Sequence, residues 1–356
     1  MQAVPALDPQ RAIPVTVLTG FLGAGKTTLL NRLLRQPALA NAAVLINEFG
    51  DVAVDHHLVD KVDESIVVLP SGCLCCSVRG ELARSLRELF MRRLRREIPA
   101  FSRVLIETSG LADPAPVLYT LLEDFFIAER FRIDGVATAV DVTHASRQLG
   151  CHFEAVRQVA MADRLLLTKC DLSTPDEIAG VARRLARINP GAPQIEVRMG
   201  AIGAEQLMGC GLYDPASKTA DVRRWLADER VAAARRSDPV THVHDVNRHD
   251  ALVHAFVLRF EQPFAWPEFA EAIDVLLATC GERILRVKGL ISVEGEPGPR
   301  VVQCVQHMRY PESTLPSWPD DHHQSRLVFI VRALARDIVE QAFVMFCGAA
   351  ALAEAD

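Results

Sequence analysis

The sequence predicts an α/β protein in which a doubly wound, mostly parallel sheet precedes a second, smaller α+β domain. Three observations support this prediction. Short apolar runs alternate with helical stretches through the first half, a glycine-rich loop follows the first run, and the alternation weakens after residue 212. The runs are continuously apolar, which is typical of strands buried on both faces of a parallel sheet.

The predicted elements of the first half follow from these runs. Strands are predicted at residues 14–19, 42–47, 66–69, 103–107, 135–140 and 164–168. A helix is predicted at residues 27–35, and another at residues 81–97, where leucines recur at helical spacing. Helices between the remaining strands would complete the doubly wound pattern.

The second half predicts a different unit. Residues 214–250 are polar and charged, which indicates a linker with a helix near residues 219–235. Beyond it, strands are predicted at 251–260, 283–293, 300–305 and 326–331, with helices at 266–279 and 334–346. We therefore divide the chain into a doubly wound domain (1–213), a linker with a helix (214–250) and an α+β domain (251–356).

Composition narrows the class of protein. The 356 residues suggest two domains at about 150 residues per domain. Hydrophobic residues make up 49% and charged residues 24%, which excludes a largely disordered chain and a disulfide-stabilised miniprotein. The formal charge of −6 argues against a nucleic-acid or membrane-surface protein. The cluster of Arg92, Arg93, Arg95 and Arg96 is therefore interpreted as a solvated helix face.

The sequence also indicates a location. Its longest apolar run, residues 342–353, is well short of the roughly 20 residues that span a bilayer. The N-terminus lacks a cationic start with an apolar stretch and a small-residue cleavage site. The chain has nine cysteines, an odd number, which favours metal or thiol chemistry in a reducing compartment over a disulfide framework. We expect a cytoplasmic protein.

The glycine-rich loop carries the first chemical signal. Residues 20–27 read GFLGAGKT, which matches the phosphate-binding pattern G-x-x-x-x-G-K-[ST] between a predicted strand and a predicted helix. Glycines let backbone N–H groups face phosphates, and the helix N-terminus adds partial positive charge. Lys26 is expected to contact the β- and γ-phosphates, and the Thr27 hydroxyl to bind Mg²⁺. The sheet is thus predicted to be of the P-loop NTPase type, with nucleotide contacts from Gly20, Gly23, Ala24, Gly25, Lys26, Thr27 and Thr28.

An acidic residue ends the strand predicted at 103–107. In nucleotide hydrolases an acid at this point orients Mg²⁺ or the attacking water, so Glu107 joins Lys26 and Thr27 as a predicted catalytic residue. Gly110 can offer its N–H to the γ-phosphate. Leu111, rather than a water-positioning glutamine, follows that glycine, so we expect slow intrinsic turnover.

A base-reading motif follows the strand predicted at 164–168. Residues 168–171 read TKCD and resemble the guanine motif N-K-x-D, with Thr168 in place of asparagine. The Asp171 carboxylate can accept hydrogen bonds from guanine N1–H and its amino group, a donor pair that adenine lacks. The stem of Lys169 can cover the base ring. These residues favour GTP over ATP.

Residues 72–76, GCLCC, form the most unusual segment. Thiolates are strong ligands for Zn²⁺ and related ions, and Glu48 and Asp51 are candidates for a further ligand. A redox thiol group and buried apolar cysteines are alternatives that stay open. In sequence the cluster lies among segments that commonly move with the γ-phosphate, so metal and nucleotide occupancy are expected to be coupled. The predicted thiolate ligands are Cys73, Cys75 and Cys76.

Together these motifs resemble those of the CobW family of P-loop GTPases, relatives of the nickel-handling HypB and UreG proteins. The matching stretches are GFLGAGKTTLLN (20–31), NEFGD (47–51), SGCLCC (71–76), ETSGLADP (107–114) and LLTKCD (166–171). The resemblance continues through RILRVKGLI (283–291), the strand at 302–307 and LVFIVRAL (327–334), and so covers nearly the whole chain.

The resemblance implies a GTPase that binds Zn²⁺ or Co²⁺ at the CxCC segment and acts as a metallochaperone or metal-insertion factor. This chain departs from the family pattern at Thr168, where asparagine is usual, and lacks the long His-rich tract of many relatives. Its histidines are scattered, and two close pairs, His242 with His244 and His322 with His323, are candidates for metal capture. The alternative is that these histidines are solvated loop residues. The scattered histidines include His242, His244, His249, His254, His322 and His323.

The leading hypothesis is a GTP-hydrolysing metallochaperone that uses Mg²⁺, carries zinc or cobalt, and recognises a client metalloprotein through its C-terminal domain. No nucleic-acid or membrane partner is expected, and a homodimer stays open. One alternative is a metal sensor in which GTP only locks a conformation without turnover. Another is a dedicated activator of one metalloenzyme.

Overall fold

A computed structural model describes residues 12–47, 67–71, 78–210, 249–321 and 323–352. These residues form two compact units. The first contains the described parts of Met1–Gln148, Ala162–Val181 and Gln194–Tyr213, and the second contains those of Leu149–Met161, Ala182–Pro193 and Asp214–Asp356. Residues 211–248 lie outside the described ranges, so the predicted linker helix and the boundaries at 213 and 250 stay predictions.

The first unit is built on a parallel sheet that, among the described residues, has seven strands in the order β3-β2-β4-β1-β5-β6-β7. The prediction of a doubly wound parallel sheet is confirmed. The sequence did not predict β7, because it is only three residues long and partly exposed. The strands are β1 (Ile13–Gly20), β2 (Ala42–Asn47), β3 (Val67–Ser71), β4 (Arg103–Glu107), β5 (Phe131–Asp141), β6 (Arg164–Thr168) and β7 (Gln194–Glu196).

Helices separate most of these strands along the chain. They are α1 (Lys26–Leu33), α2 (Val78–Leu94), α3 (Ala115–Glu123), α4 (Phe125–Ala128), α5 (Ala145–Cys151), α6 (Phe153–Met161), α7 (Pro175–Ile188) and α8 (Ala204–Leu207). The apolar side of α1, with Leu29 and Leu30, packs in one buried cluster with Leu18 of β1 and Ala139 of β5. Neighbouring positions of β1, such as Val17, are buried as well. Both faces of this strand are therefore covered, which explains its continuously apolar sequence.

The strand order places several chemical groups at one edge of the sheet. β1 lies between β4 and β5, and the register pairs Gly20 with Ala139. In the same way Leu18 pairs with Glu107, and Asp141 pairs with Thr168. Because the strands are parallel, their carboxyl ends meet at the edge where doubly wound proteins bind ligands.

The second unit contains an antiparallel sheet of six strands within the described ranges, in the order β11-β10-β9-β13-β8, with β12 paired to β10. Each strand and helix predicted after residue 251 is present, with ends shifted by a few residues. The two-residue strands β11 and β12 are additions. The elements are β8 (Val253–Phe260), α9 (Trp266–Cys280), β9 (Ile284–Ile291), β10 (Arg300–Val305), β11 (Met308–Arg309), β12 (Ser313–Thr314), β13 (Ser325–Arg332) and α10 (Arg336–Cys347).

The core of the second unit is rich in aromatic rings. Phe256 and Phe329, on paired strands, stack with ring centroids 5.4 Å apart. Phe343 of α10 lies 5.8 Å from Phe269 of α9, so both helices pack into the same cluster. The C-terminal helix therefore packs on its own domain. Among the described residues, no helix is both long enough and apolar enough to cross a membrane.

Candidate functional site

The loop between β1 and α1 has the backbone conformation that its glycines allow. Gly20 has φ +143°, and a Cβ atom there would lie 2.3 Å from the carbonyl oxygen of Ala139. Gly23 and Gly25 have φ +74° and +84°, in the left-handed region that disfavours side chains. The Gly25 carbonyl accepts from the Leu29 N–H at 2.9 Å, which starts helix α1. The loop is thus a tight turn that leads into a helix N-terminus, as the motif predicts.

The Lys26 ammonium lies inside this loop. Its Nζ donates to the carbonyl of Gly20 at 2.9 Å and to that of Phe21 at 3.3 Å. The side chain is 9% exposed, so the charge is held at the mouth of the turn rather than in bulk water. A phosphate in the turn would offer this ammonium stronger, charge-assisted acceptors than two carbonyl groups.

Thr27 and Glu107 meet at the end of β1 and β4. Thr27 Oγ1 donates to Glu107 Oε1 at 2.9 Å, although the residues are far apart in sequence. The strands are further joined where the Thr108 hydroxyl donates to Thr19 Oγ1 at 2.7 Å. A hydroxyl and a carboxylate in contact are hard oxygen ligands of the kind that Mg²⁺ prefers, so this donor set fits the ion.

Gly110 lies directly against the phosphate loop. A Cβ at Gly110 would fall 2.7 Å from the backbone nitrogen of Leu22, so only glycine allows this approach. Leu111, the next residue, is 47% exposed. The segment after β4 therefore reaches the loop through backbone, and its first large side chain is an apolar one.

Thr168 connects the base-reading motif to the phosphate loop. Its Oγ1 lies 2.8 Å from the Ala24 carbonyl and 3.2 Å from the Val140 carbonyl, and its single proton can be shared between them. The residue is almost fully buried. A threonine hydroxyl thus joins β6 to the loop, which gives a structural reason for a short hydroxyl side chain where the guanine motif usually has asparagine.

Asp171 lies one turn beyond β6, in the 3-10 helix Cys170–Leu172. Its Oδ1 accepts from the Met199 backbone N–H at 2.7 Å, and this hydrogen bond is the main cause that lowers the pKa of Asp171. The carboxyl group is exposed and ionised at neutral pH. Before it, Lys169 has φ +59°, and its Nζ donates to Asp141 Oδ2 at 2.7 Å.

The loop at Met199 and Gly200 is a part of the site that the sequence did not reveal. Met199 has φ +50° and is 68% exposed, beside Asp171. A Cβ at Gly200 would lie 3.2 Å from the Thr28 methyl group, so this loop also borders the start of α1. The pair Met-Gly just after a short strand is the only sequence signal for it, and it is a weak one.

Family comparisons agree with this geometry. Residues 14–196 match the CobW/HypB/UreG nucleotide-binding domain, and residues 253–346 match the cobalamin synthesis protein cobW C-terminal domain. The chain belongs to the CobW/HypB/UreG family. For this CobW-family chain, the first match spans the whole parallel sheet after Ile13, and the second spans the antiparallel unit.

Similar proteins cover nearly the whole chain. Zinc chaperone YjiA of Escherichia coli is 34% identical over 331 residues, which are 93% of this chain and 98% of the relative. Zinc-regulated GTPase metalloprotein activator 1 of Saccharomyces cerevisiae is 26% identical and covers 93% of this chain and 83% of its own. The crystal structure of Zn(II)-bound YjiA GTPase from E. coli superposes with a TM-score of 0.70 at 29% identity, over 94% of this chain and 99% of that one.

The predicted metal ligands lie outside the described residues. They are Cys73, Cys75, Cys76, Glu48 and Asp51. The same holds for His242, His244 and His322. Within the described ranges, no three His, Cys, Asp or Glu side chains converge as a metal site would require. His249 instead lies 6.3 Å from the Phe153 ring, and His323 stacks on Trp318 at 5.4 Å.

The contact of Thr168 with the loop gives a testable prediction. We expect Thr168→Val, which keeps the shape and removes the hydroxyl, to weaken GDP and GTP binding alike by about tenfold. The cause is that the Ala24 carbonyl then has no hydroxyl donor from β6, a loss of roughly 1–3 kcal/mol for a buried group. Thr168→Ser keeps the hydroxyl and is the matched control. Fluorescent-nucleotide titration measures both, and equal affinities of the valine and serine variants would contradict the assigned role.

Proposed function

We propose that this chain is a cytoplasmic, Mg²⁺-dependent GTPase that couples its nucleotide state to the handling of a transition metal, zinc foremost, and to its delivery to a client protein. One observation carries the proposal. A phosphate loop with Lys26, the Thr27–Glu107 pair and the Asp171 carboxylate all lie just beyond the carboxyl ends of strands β1, β4 and β6 of one parallel sheet. In this proposal each site residue has the role that the sequence predicts for it.

The phosphate end of the site supports hydrolysis. The backbone N–H groups of the loop and the Lys26 ammonium would hold the β- and γ-phosphates. Thr27 and Glu107 would hold Mg²⁺, which when bound neutralises phosphate charge. Glu107 is 5% exposed and fixed by the Thr27 hydroxyl, so its carboxylate is pre-oriented toward the ion or the attacking water. Gly110, which lies against the loop, would donate its N–H to the γ-phosphate.

The base end of the site supports guanine. One oxygen of Asp171, the last residue of the base-reading motif, is fixed by the Met199 N–H, and the carboxyl group is exposed. An ionised carboxylate there would accept hydrogen bonds from the two N–H donors of guanine. Adenine lacks this pair of donors and would leave the carboxylate unpaired. The hydrogen bond from Thr168 to the Ala24 carbonyl joins this motif to the phosphate loop. The residues proposed to bind the base and those proposed to bind the phosphates are therefore directly connected.

The metal end of the proposal depends on where two strands finish. β2 ends at Asn47 and β3 at Ser71, and these residues are paired in register at the same edge of the sheet as the end of β1. Glu48 and Asp51 follow the first, and the GCLCC segment follows the second. Soft thiolates of Cys73, Cys75 and Cys76 suit zinc, and cobalt as well. The names of the relatives, a zinc chaperone and a zinc-regulated GTPase, favour zinc.

Steady-state kinetics test this function. We expect Mg²⁺-dependent release of phosphate from GTP with slow turnover, much weaker activity on ATP, and a change in rate when Zn²⁺ and a client are added. Purified protein with no GTP turnover under any of these conditions would contradict a GTPase. Delivery is tested separately, by transfer of zinc from the loaded protein to a client apoprotein on addition of GTP.

A second candidate, a metal sensor without turnover, is favoured by Leu111. This exposed leucine follows Gly110 at the phosphate loop, where a glutamine could position water. In this case GTP binds and locks a conformation that a partner recognises. Appreciable multiple turnover of GTP would eliminate the sensor, whereas tight GTP binding without turnover, even with Zn²⁺ and a client present, would favour it.

A further inference from the structure

Asp141 is a buried carboxylate at the base end of the site to which the sequence assigned no role. It is the last residue of β5, pairs in register with Thr168, and is 1% exposed. Oδ1 accepts from the backbone N–H of Thr143 at 2.9 Å and from its hydroxyl at 2.6 Å. Oδ2 lies 3.0 Å from His144 Nδ1 and accepts from Lys169 Nζ at 2.7 Å. The group is held by donors on both oxygens.

These donors keep the carboxyl group charged. Burial raises the pKa of Asp141, but the hydrogen bonds from Lys169, Thr143 and His144, together with the charge of Lys169, outweigh burial and lower it. The Asp141 carboxylate is therefore ionised at neutral pH, where it accepts the hydrogen bond from Lys169 Nζ. The carboxylate is 2% exposed and the lysine side chain 35%, so one partner of this ion pair is fixed in the protein interior.

The backbone at Lys169 needs such an anchor. Its φ of +59° is the left-handed conformation, which is unfavourable for a residue with a side chain. Strained backbone of this kind persists where the surroundings over-determine it. Here the left-handed residue lies between Thr168, which bonds the phosphate loop, and Asp171, the proposed base reader. The position of Asp171 thus depends on a turn whose side chain is tied to Asp141.

We propose that Asp141 is a positioning residue for base recognition: it holds the Lys169 turn, and through it the Asp171 carboxylate, in the geometry that guanine requires. The inference rests on the proposed guanine-nucleotide function and adds a residue that the motif does not contain. In this arrangement the Lys169 ammonium is paired with the Asp141 carboxylate, and Lys169 contributes its alkyl stem and its place in the turn to base recognition.

The test compares two buried aspartates on the same strand. Asp141→Asn removes the charge and keeps the size. Asp134→Asn is the matched control, because Asp134 is also on β5, is 6% exposed and accepts hydrogen bonds, but from Thr16 and Gly209. Affinities for GDP and IDP are measured by calorimetry, since IDP lacks the 2-amino group that Asp171 would accept from. Thermal unfolding reports whether each variant is folded.

We expect Asp141→Asn to weaken GDP binding about tenfold and to shrink the preference for GDP over IDP, whereas Asp134→Asn leaves both unchanged. A variant that only loosened the fold would weaken both nucleotides in proportion and keep the preference. If the asparagine variant does not fold, Lys169→Met removes the same ion pair from its more exposed partner and is expected to give the same two changes. In a folded double variant, the losses should not add.

The outcomes separate this inference from the function it rests on. Wild-type protein that binds no guanine nucleotide overturns both. Wild-type protein that binds GDP, with a folded Asp141→Asn or Lys169→Met variant whose GDP affinity and GDP-to-IDP preference stay within twofold, overturns the role of Asp141 alone. Losses that add fully in the double variant also overturn it, because independent effects mean that the two residues do not act through each other.

Discussion

Replacing Lys26 with methionine is expected to lower kcat/KM for GTP by about 10³-fold, the largest effect of any single substitution in this account. Methionine keeps much of the buried stem and removes the ammonium, which donates to the Gly20 and Phe21 carbonyls at the mouth of the loop. Without it, the charge that develops on the phosphate oxygens in the transition state has no cationic partner on the loop. Phosphate release from GTP measures the loss.

A control for this substitution lies on the same helix. Arg32 is an exposed cation near the end of α1, so Arg32→Met also removes one positive charge from it. We expect its kcat/KM to stay within about twofold of wild type, because solvent and salt screen an exposed charge in the last turn of the helix, at the end opposite the phosphate loop. Comparable losses in the two variants would mean that overall charge, and not the loop ammonium, drives catalysis.

The second large effect is expected at the base. Asp171→Asn should weaken GTP binding by at least about 10²-fold and strengthen binding of XTP, which reverses the preference. An ionised carboxylate accepts from both N–H donors of guanine, whereas an amide offers one acceptor and one donor. Xanthine has a carbonyl where guanine has an amino group, so it matches the amide. Competition titrations of GTP, XTP and ATP on both proteins measure the change.

Asp176→Asn is the matched control for the base reader, because Asp176 is an exposed acid in the first turn of α7 and has no proposed contact with nucleotide. It is expected to keep the wild-type order of affinities. If Asp171→Asn retains full GTP affinity, another group reads the base, and the resemblance of residues 168–171 to the guanine motif is misleading. If the Asp171→Asn variant binds both GTP and XTP weakly, the substitution has disturbed the turn instead of changing the base preference.

The fold was predictable where burial dictates the sequence. The parallel strands are buried on both faces and so appear as continuous apolar runs. The antiparallel unit contains every strand and helix that its sequence predicts, and only the two-residue strands β11 and β12 were missed among its described strands. Strand β7 was not predicted, because its three residues are partly exposed and no apolar run marks it. The loop at Met199 was not predicted either, since it follows β7 and its contact with Asp171 depends on where that strand lies.

The site was predictable only in part, for a different reason. The phosphate loop is local in sequence, so its residues can be named from a pattern. Thr168 looked like a weakened guanine motif, and only the fold shows its hydroxyl beside the Ala24 carbonyl. Asp141 and Lys169 are 28 residues apart and meet because β5 and β6 pair. Contacts of this kind depend on register, which a single sequence specifies but does not display.

Nucleotide and metal are proposed to bind at one edge of the sheet and therefore to influence each other's affinity. The most direct test is a calorimetric titration of Zn²⁺ into the protein with and without a non-hydrolysable GTP analogue, repeated on a Cys75→Ala, Cys76→Ala variant. We expect the analogue to change zinc affinity by at least about fivefold, zinc to change analogue affinity by the same factor, and the variant to lose tight zinc binding. Equal zinc affinities with and without the analogue would show that the two sites are independent, and tight zinc binding that survives in the variant would show that Cys75 and Cys76 are not the ligands.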